Sequence, residues 1–117
     1  MGYTHYIKNK REFTDAEWNQ FVKEIREMLD NTEIPIAGPL GETGTKPILN
    51  DSLVSFNGLE DDSHETAKMT KSAMNFSFCK TRRKPYDKLV VEMYKITRKI
   101  LGCNVELSSD GGESVFE

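Results

Sequence analysis

The run Cys79-Lys80-Thr81-Arg82-Arg83-Lys84-Pro85-Tyr86-Asp87-Lys88 places five cations between a strand-like and a helix-like segment, in a chain whose net charge is −3. The start of a helix presents unpaired N–H groups and the positive end of its dipole. Cations set just before it make a seat for a phosphate or carboxylate. Lys80, Arg82, Arg83 and Lys84 are the candidate anion ligands. Thr81 lies among them, and the amides of Tyr86 and Asp87 lie behind. Arginine grips phosphate through two parallel hydrogen bonds, whereas lysine acts as a point charge. Tyr86 would stack on a base or close over a ribose. A solvated basic turn paired with the acidic Glu60-Asp61-Asp62 segment is the competing reading.

Tyr3, His5 and Tyr6 form a second cluster. Aromatic side chains on a strand can stack a flat base, at about 1–3 kcal/mol each. Alternation puts Tyr3 and His5 on one face of such a strand and Tyr6 on the other. The competing reading sends one side into the core and leaves the other to cap the sheet. Asn57 closes a strand, and Ser109 and Asp110 end another just before Gly111-Gly112. These three are candidates for selecting a base edge or a ribose, although a simple tight turn is the preferred account of Ser109 and Asp110.

Catalytic patterns are sparse. His5 and His64 are the only histidines, so the paired motifs of a two-histidine phosphodiesterase are missing. Cys79 beside Lys80 and Arg82 could act as a lowered-pKa nucleophile, but a strand-end cysteine is commonly a small packing residue. Asp61, Asp62, His64 and Glu65 match no zinc or calcium spacing and read as a solvated loop. The reading is therefore of a non-enzyme with no catalytic residues, no metal and no cofactor.

These groups must be positioned by a single domain spanning residues 1–117. Gly2 to Lys8 reads as a strand. Thr14-Asp15-Ala16-Glu17 is a capping box, after which Trp18, Phe21, Val22, Ile25, Met28 and Leu29 recur at helical spacing to about Asn31. Ile34–Ala37 is a short edge segment containing Pro35, and 38–46 is a Gly/Pro-containing loop. Pro47–Asn50 and Leu53–Asn57 read as strands. Residues 59–71 read as a mobile loop or a short helix. Met74–Lys80 alternates as a strand, with Met74, Phe76 and Phe78 assigned inward and Asn75, Ser77 and Cys79 outward. Pro85 fits the first turn of a second helix, carried by Leu89, Val90, Met93, Ile96, Thr97, Ile100 and Leu101 and stopped at Gly102. Asn104–Ser108 is the last clear strand, with a tail that could pair as one more. The order predicts an α+β class: a two-layer, βαββαβ-like, mainly antiparallel sheet with both amphipathic helices on one face. The other sheet face must then meet water, a ligand or a second copy of the chain.

Composition narrows the classes of function. A hydrophobic fraction of 37% and a charged fraction of 30% describe a polar globule, and no apolar run approaches the ~20 residues of a membrane span. The opening residues lack the basic and apolar regions of a signal peptide, and Tyr6 stands where a myristoylation motif needs Ser or Thr. A cytoplasmic protein is expected, with Cys79 and Cys103 as separate thiols. The acidic balance argues against a nucleic-acid polymer as partner.

Met1-Gly2-Tyr3-Thr4-His5-Tyr6, Phe56-Asn57-Gly58, Phe78-Cys79-Lys80-Thr81 with Arg83-Lys84-Pro85-Tyr86-Asp87, and Ser108-Ser109-Asp110-Gly111 together resemble a family of small bacteriophage accessory proteins. The pieces span nearly the whole chain in order. The resemblance implies a phage-encoded protein of the host cytoplasm and carries over no catalytic residues. Such proteins often disarm host immunity, for example by sequestering a nucleotide second messenger. The expectation is a homo-oligomeric sponge for a small phosphorylated nucleotide, cyclic or ADP-ribose-like. A protein-binding inhibitor of a host effector is the alternative, and a messenger-degrading enzyme is the third reading.

Overall fold

The computed structural model describes residues 3–117, so Gly2 at the start of the expected first strand lies outside the described residues. Among these, β1 (Thr4–Asn9) is followed by α1 (Asp15–Asn31), β2 (Ile36–Ala37), β3 (Ile48–Leu49), β4 (Leu53–Gly58), β5 (Ala67–Thr70), β6 (Ser77–Lys80), α2 (Asp87–Leu101) and β7 (Val105–Ser109). The α+β class is as the periodicities predict, but the strands divide into two antiparallel sheets. One has the order β6-β1-β7, and in the other β4 pairs with β2, β3 and β5. The Glu65 amide donates to the Lys80 carbonyl and links the two at the end of β6. No helix of the described residues is long and apolar enough to cross a membrane.

Both helices form for reasons visible locally. The Thr14 hydroxyl accepts the Glu17 amide at 3.2 Å, and the Glu17 carboxylate accepts the Thr14 amide at 2.9 Å. Arg11 grips the same carboxylate through both guanidinium nitrogens, and these bonds hold it down to a pKa of about 2. From there Trp18, Phe21 and Ile25 enter the core. The second helix starts later than Pro85 suggests: the Asp87 amide donates to the Lys84 carbonyl, and Tyr86 is the cap. Gly102, at φ 64°, ends it. Both stripes meet Ile7, Val54, Phe56, Met69 and Cys79 in one buried cluster.

Three further expectations are corrected. In residues 59–71 the short-helix reading holds only for a 3₁₀ turn at Glu60–Asp62, and the chain then runs into an unexpected strand, β5. The turn packs so closely on β4 that a Cβ on Gly58 would lie 2.1 Å from the Asp62 carbonyl oxygen. The tail does not pair as a strand but winds into a 3₁₀ turn at Glu113–Phe116, which buries Phe116. Most consequentially, β6 is shorter than 74–80 and faces the opposite way. Its register aligns Cys79 with His5 and Phe78 with Tyr6, and directly opposed residues share a sheet face. Because His5 and Ile7 face the core, Cys79 is buried, while Phe76 and Phe78 are 56% and 46% exposed.

Candidate functional site

The basic turn is tight and strained. The Lys84 amide donates to the Thr81 carbonyl across Arg82 and Arg83, whose φ angles are 50° and 58°. Two successive left-handed residues are the signature of a type I′ turn, where glycine or asparagine is usual. Arginine at both positions costs about 1–2 kcal/mol each. Strain of this kind concentrates at functional sites.

The structure separates the sequence candidates into two groups on opposite faces of β1. Tyr3, His5, Thr81, Arg83 and Ser109 come together on the inner side. The Thr81 amide donates to the Tyr3 carbonyl at 2.9 Å. The Arg83 guanidinium lies 4.2 Å from the centre of the Tyr3 ring, which meets the His5 ring edge-on at 5.1 Å. The Tyr3 hydroxyl packs so closely on Gly111 that a Cβ there would come within 2.0 Å of it. Fully buried His5 contacts the Ser109 hydroxyl through Nδ1 at 2.8 Å and Asp87 Oδ1 through Nε2 at 2.6 Å. Asp87, which the sequence reading treated only as a backbone donor, also accepts from the Thr81 hydroxyl. Its burial pushes the carboxyl pKa up, but hydrogen bonds from His5 and Thr81 and the nearby Arg83 charge outweigh that and leave it lowered. As a first-turn carboxylate it also occupies the positive end of the α2 dipole. That end and the Asp87 amide are therefore engaged internally, which corrects the expected anion seat.

The second group lies on the outer face of β6-β1-β7. The registers set Lys80 beside Thr4, Tyr6 between Phe78 and Ser108, and Lys8 beside Glu106. Phe76 completes a triangle of rings, with Tyr6–Phe76, Tyr6–Phe78 and Phe76–Phe78 centroids 6.1, 6.4 and 6.2 Å apart. Asp110 sits at the top of the face, taking the Thr4 amide at 3.1 Å and the Tyr6 hydroxyl at 3.3 Å. A shallow pocket of about 280 Å³ opens between Tyr6, Phe76, Lys8, Glu106 and Ser108. Phe76, Phe78 and Lys8 on this face were not among the sequence candidates; for the two phenylalanines the signal was the other reading of the Met74–Lys80 phase.

Four candidates belong to neither group. Tyr86 is fully buried and its hydroxyl donates to the Glu65 carbonyl at 2.6 Å, so its ring offers no face to a base. Lys84 donates to the Asp61 backbone carbonyl at 2.7 Å, which ties it to the acidic segment through the main chain rather than through a carboxylate. Arg82 is exposed at the turn tip. Asn57 is buried, with its amide donating to the Pro39 and His64 carbonyls and its oxygen accepting the Gly58 and His64 amides. It holds two loops together and has no free edge for a ligand.

Cys79 is not an activated thiol, because burial drives its pKa up to about 12. Among the described residues, no group of three or more His, Cys, Asp or Glu side chains converges as a metal site. Comparisons with protein-family models, curated proteins and solved structures find no match to this chain.

Proposed function

We propose that the protein binds a small nucleotide-type ligand on the outer face of β6-β1-β7 and holds it intact. In the biological setting that the sequence resemblance suggests, it is a phage counter-defence protein sequestering an immune second messenger in the host cytoplasm. The observation that carries the binding is the triangle of exposed Phe76 and Phe78 with half-buried Tyr6 on the outer sheet face. A soluble domain gains nothing by leaving two phenylalanines half in water unless something covers them. Base stacking on them contributes about 1–3 kcal/mol per base and needs no particular sequence. Lys80 and Lys8 flank the rings and supply positive charge for phosphates, and the exposed Arg82 of the turn that follows Lys80 adds to it as the chain's next cation. Glu106 and Ser108 on β7, with Asp110 just past its end, are acceptors for ribose hydroxyls or exocyclic amines.

A second reading uses the same observation: the aromatic face could cover a surface of a host effector protein, or of a second copy in a homo-oligomer. To separate the readings, the purified protein is incubated with cyclic di- and trinucleotides and ADP-ribose derivatives, then heat-denatured, and the released nucleotides are chromatographed. Depletion followed by intact release supports sequestration. Recovery of altered nucleotide indicates a degrading enzyme. No depletion of any compound removes the nucleotide reading in favour of a protein target.

A further inference from the structure

On the other face of β1, the geometry points to Ser109, His5 and Asp87 as a nucleophile, general base and positioning carboxylate competent for acyl transfer from a small ester. This inference is independent of the ligand reading, since it uses none of the outer-face rings. Ser109 sits on β7, His5 on β1 and Asp87 in the first turn of α2, so three elements converge on one imidazole. Its two nitrogens have different partners: a hydroxyl at 2.8 Å and a carboxylate oxygen at 2.6 Å. A carboxylate can only accept, so Nε2 carries a proton toward Asp87 and Nδ1 is left to accept from the Ser109 hydroxyl. That is the tautomer a serine nucleophile requires, and it is recognised by geometry and roles rather than chain order.

The surroundings hold this arrangement in place. The Thr81 hydroxyl bonds the same Asp87 oxygen, fixing the carboxylate. Tyr3 and Phe116 meet the imidazole edge-on at 5.1 and 5.8 Å and hold its plane, so that Nδ1 is approached from the Ser109 side. The Gly111 amide donates to the Ser109 oxygen at 3.0 Å, which orients it while leaving the hydroxyl proton for His5. His5 is fully enclosed, while Ser109 and Asp87 at the two ends of the relay are each half-buried. Arg83, lying on the Tyr3 ring that abuts Gly111, brings positive charge to the serine end, favouring an acyl group that is itself anionic.

In the reaction, Ser109 Oγ attacks the ester carbonyl carbon and its proton passes to His5 Nδ1. The carbon–alkoxide bond breaks, and the leaving alcohol takes that proton. Water then attacks the acyl-serine, again giving its proton to Nδ1, and Ser109 leaves with that proton restored as the free carboxylic acid departs.

Phenylmethylsulfonyl fluoride tests the relay directly: the Ser109 oxygen–sulfur bond forms, fluoride leaves and the proton goes to His5. Peptide mass spectrometry of folded protein carrying Cys103→Ser, which removes an exposed competing thiol, should show the sulfonyl group on Ser109. Ser109→Ala should abolish the adduct, and p-nitrophenyl acetate hydrolysis should fall with it. Asp87→Asn should slow labelling at neutral pH by at least about tenfold and displace its pH profile, because an amide can donate to Nε2 and reverse the tautomer. If that variant fails to fold, Thr81→Val, which loosens Asp87 without removing it, should slow labelling in the same direction. No adduct on Ser109, or an equal rate in urea-unfolded protein, overturns the assignment. An unchanged rate and pH profile in folded Asp87→Asn removes Asp87 from it.

Discussion

His5 and Asp87 lie 82 positions apart in the chain and 2.6 Å apart in the fold, one at the start of β1 and the other in the first turn of α2. The contact ties the central strand of one sheet to the helix that covers it, and the Thr81 hydroxyl shares its carboxylate oxygen. The β6–α2 connection is therefore anchored from below, which holds the strained Arg82-Arg83 turn in position above it.

That anchor makes stability depend on acid. The Asp87 carboxyl is lowered below its ordinary value in the folded protein, and the unfolded chain takes up that proton near pH 3.9. The unfolded state thus binds more protons, so the contribution is complete above about pH 4 and lost as pH falls through the lower folded pKa. Asp87→Ala should cost about 2–3 kcal/mol at pH 7, because it strands the buried imidazole and the Thr81 hydroxyl. Urea denaturation of both proteins from pH 7 to pH 3 should show the gap narrowing at the acid end. A constant gap would show that the carboxylate charge contributes nothing.

The turn offers the opposite sign. Arg82 has a left-handed backbone at φ 50° and an exposed side chain, so Arg82→Gly should stabilise the fold by about 1 kcal/mol and raise the melting temperature by roughly 4 °C. The same variant should weaken nucleotide capture. A lower melting temperature would mean that the arginine side chain contributes more than the backbone strain costs.

How much of this was legible in the sequence depended on whether the signal was local. The Thr14–Glu17 capping box and the stripes of α1 and α2 carry their own periodicity, and they appear where the spacing puts them. Alternation over Met74–Lys80 carried no sign: a strand states that its two faces differ, not which one is buried. Three large apolar residues in one phase outweighed Cys79 in the other, but pairing to His5 and Ile7 decided the matter. Asn57 misled for a related reason. Its polarity suggested a free edge, whereas an isolated β4 end cannot reveal the backbone groups of Pro39 and His64 that its amide satisfies. The His5–Asp87 pair had no local signature at all.

Asn57 should accordingly behave as a structural residue. Asn57→Ala leaves the His64 amide and the Pro39 and His64 carbonyls short of a partner in a buried site. A loss of about 2–4 kcal/mol is expected from several unmet hydrogen bonds. Measured at a temperature where the variant remains folded, its nucleotide capture should match the parent. A selective loss of capture at unchanged stability would return Asn57 to the ligand site.

The outer face gives the sharpest separation of stability from binding. Phe78 is 46% exposed, whereas Phe56 on β4 is fully buried. Phe78→Ser removes an apolar group already half in water and should change stability by less than about 1 kcal/mol. Phe56→Ala opens a core cavity and should cost about 3–5 kcal/mol. If Phe78 stacks a base, its loss should weaken capture by about tenfold or more, the equivalent of at least about 1.4 kcal/mol. Calorimetric titration of Phe78→Ser with the nucleotide that the parent depletes measures this directly. Equal affinity in parent and variant would move the ligand off this sheet face, while a large stability loss would mean that Phe78 packs inward after all.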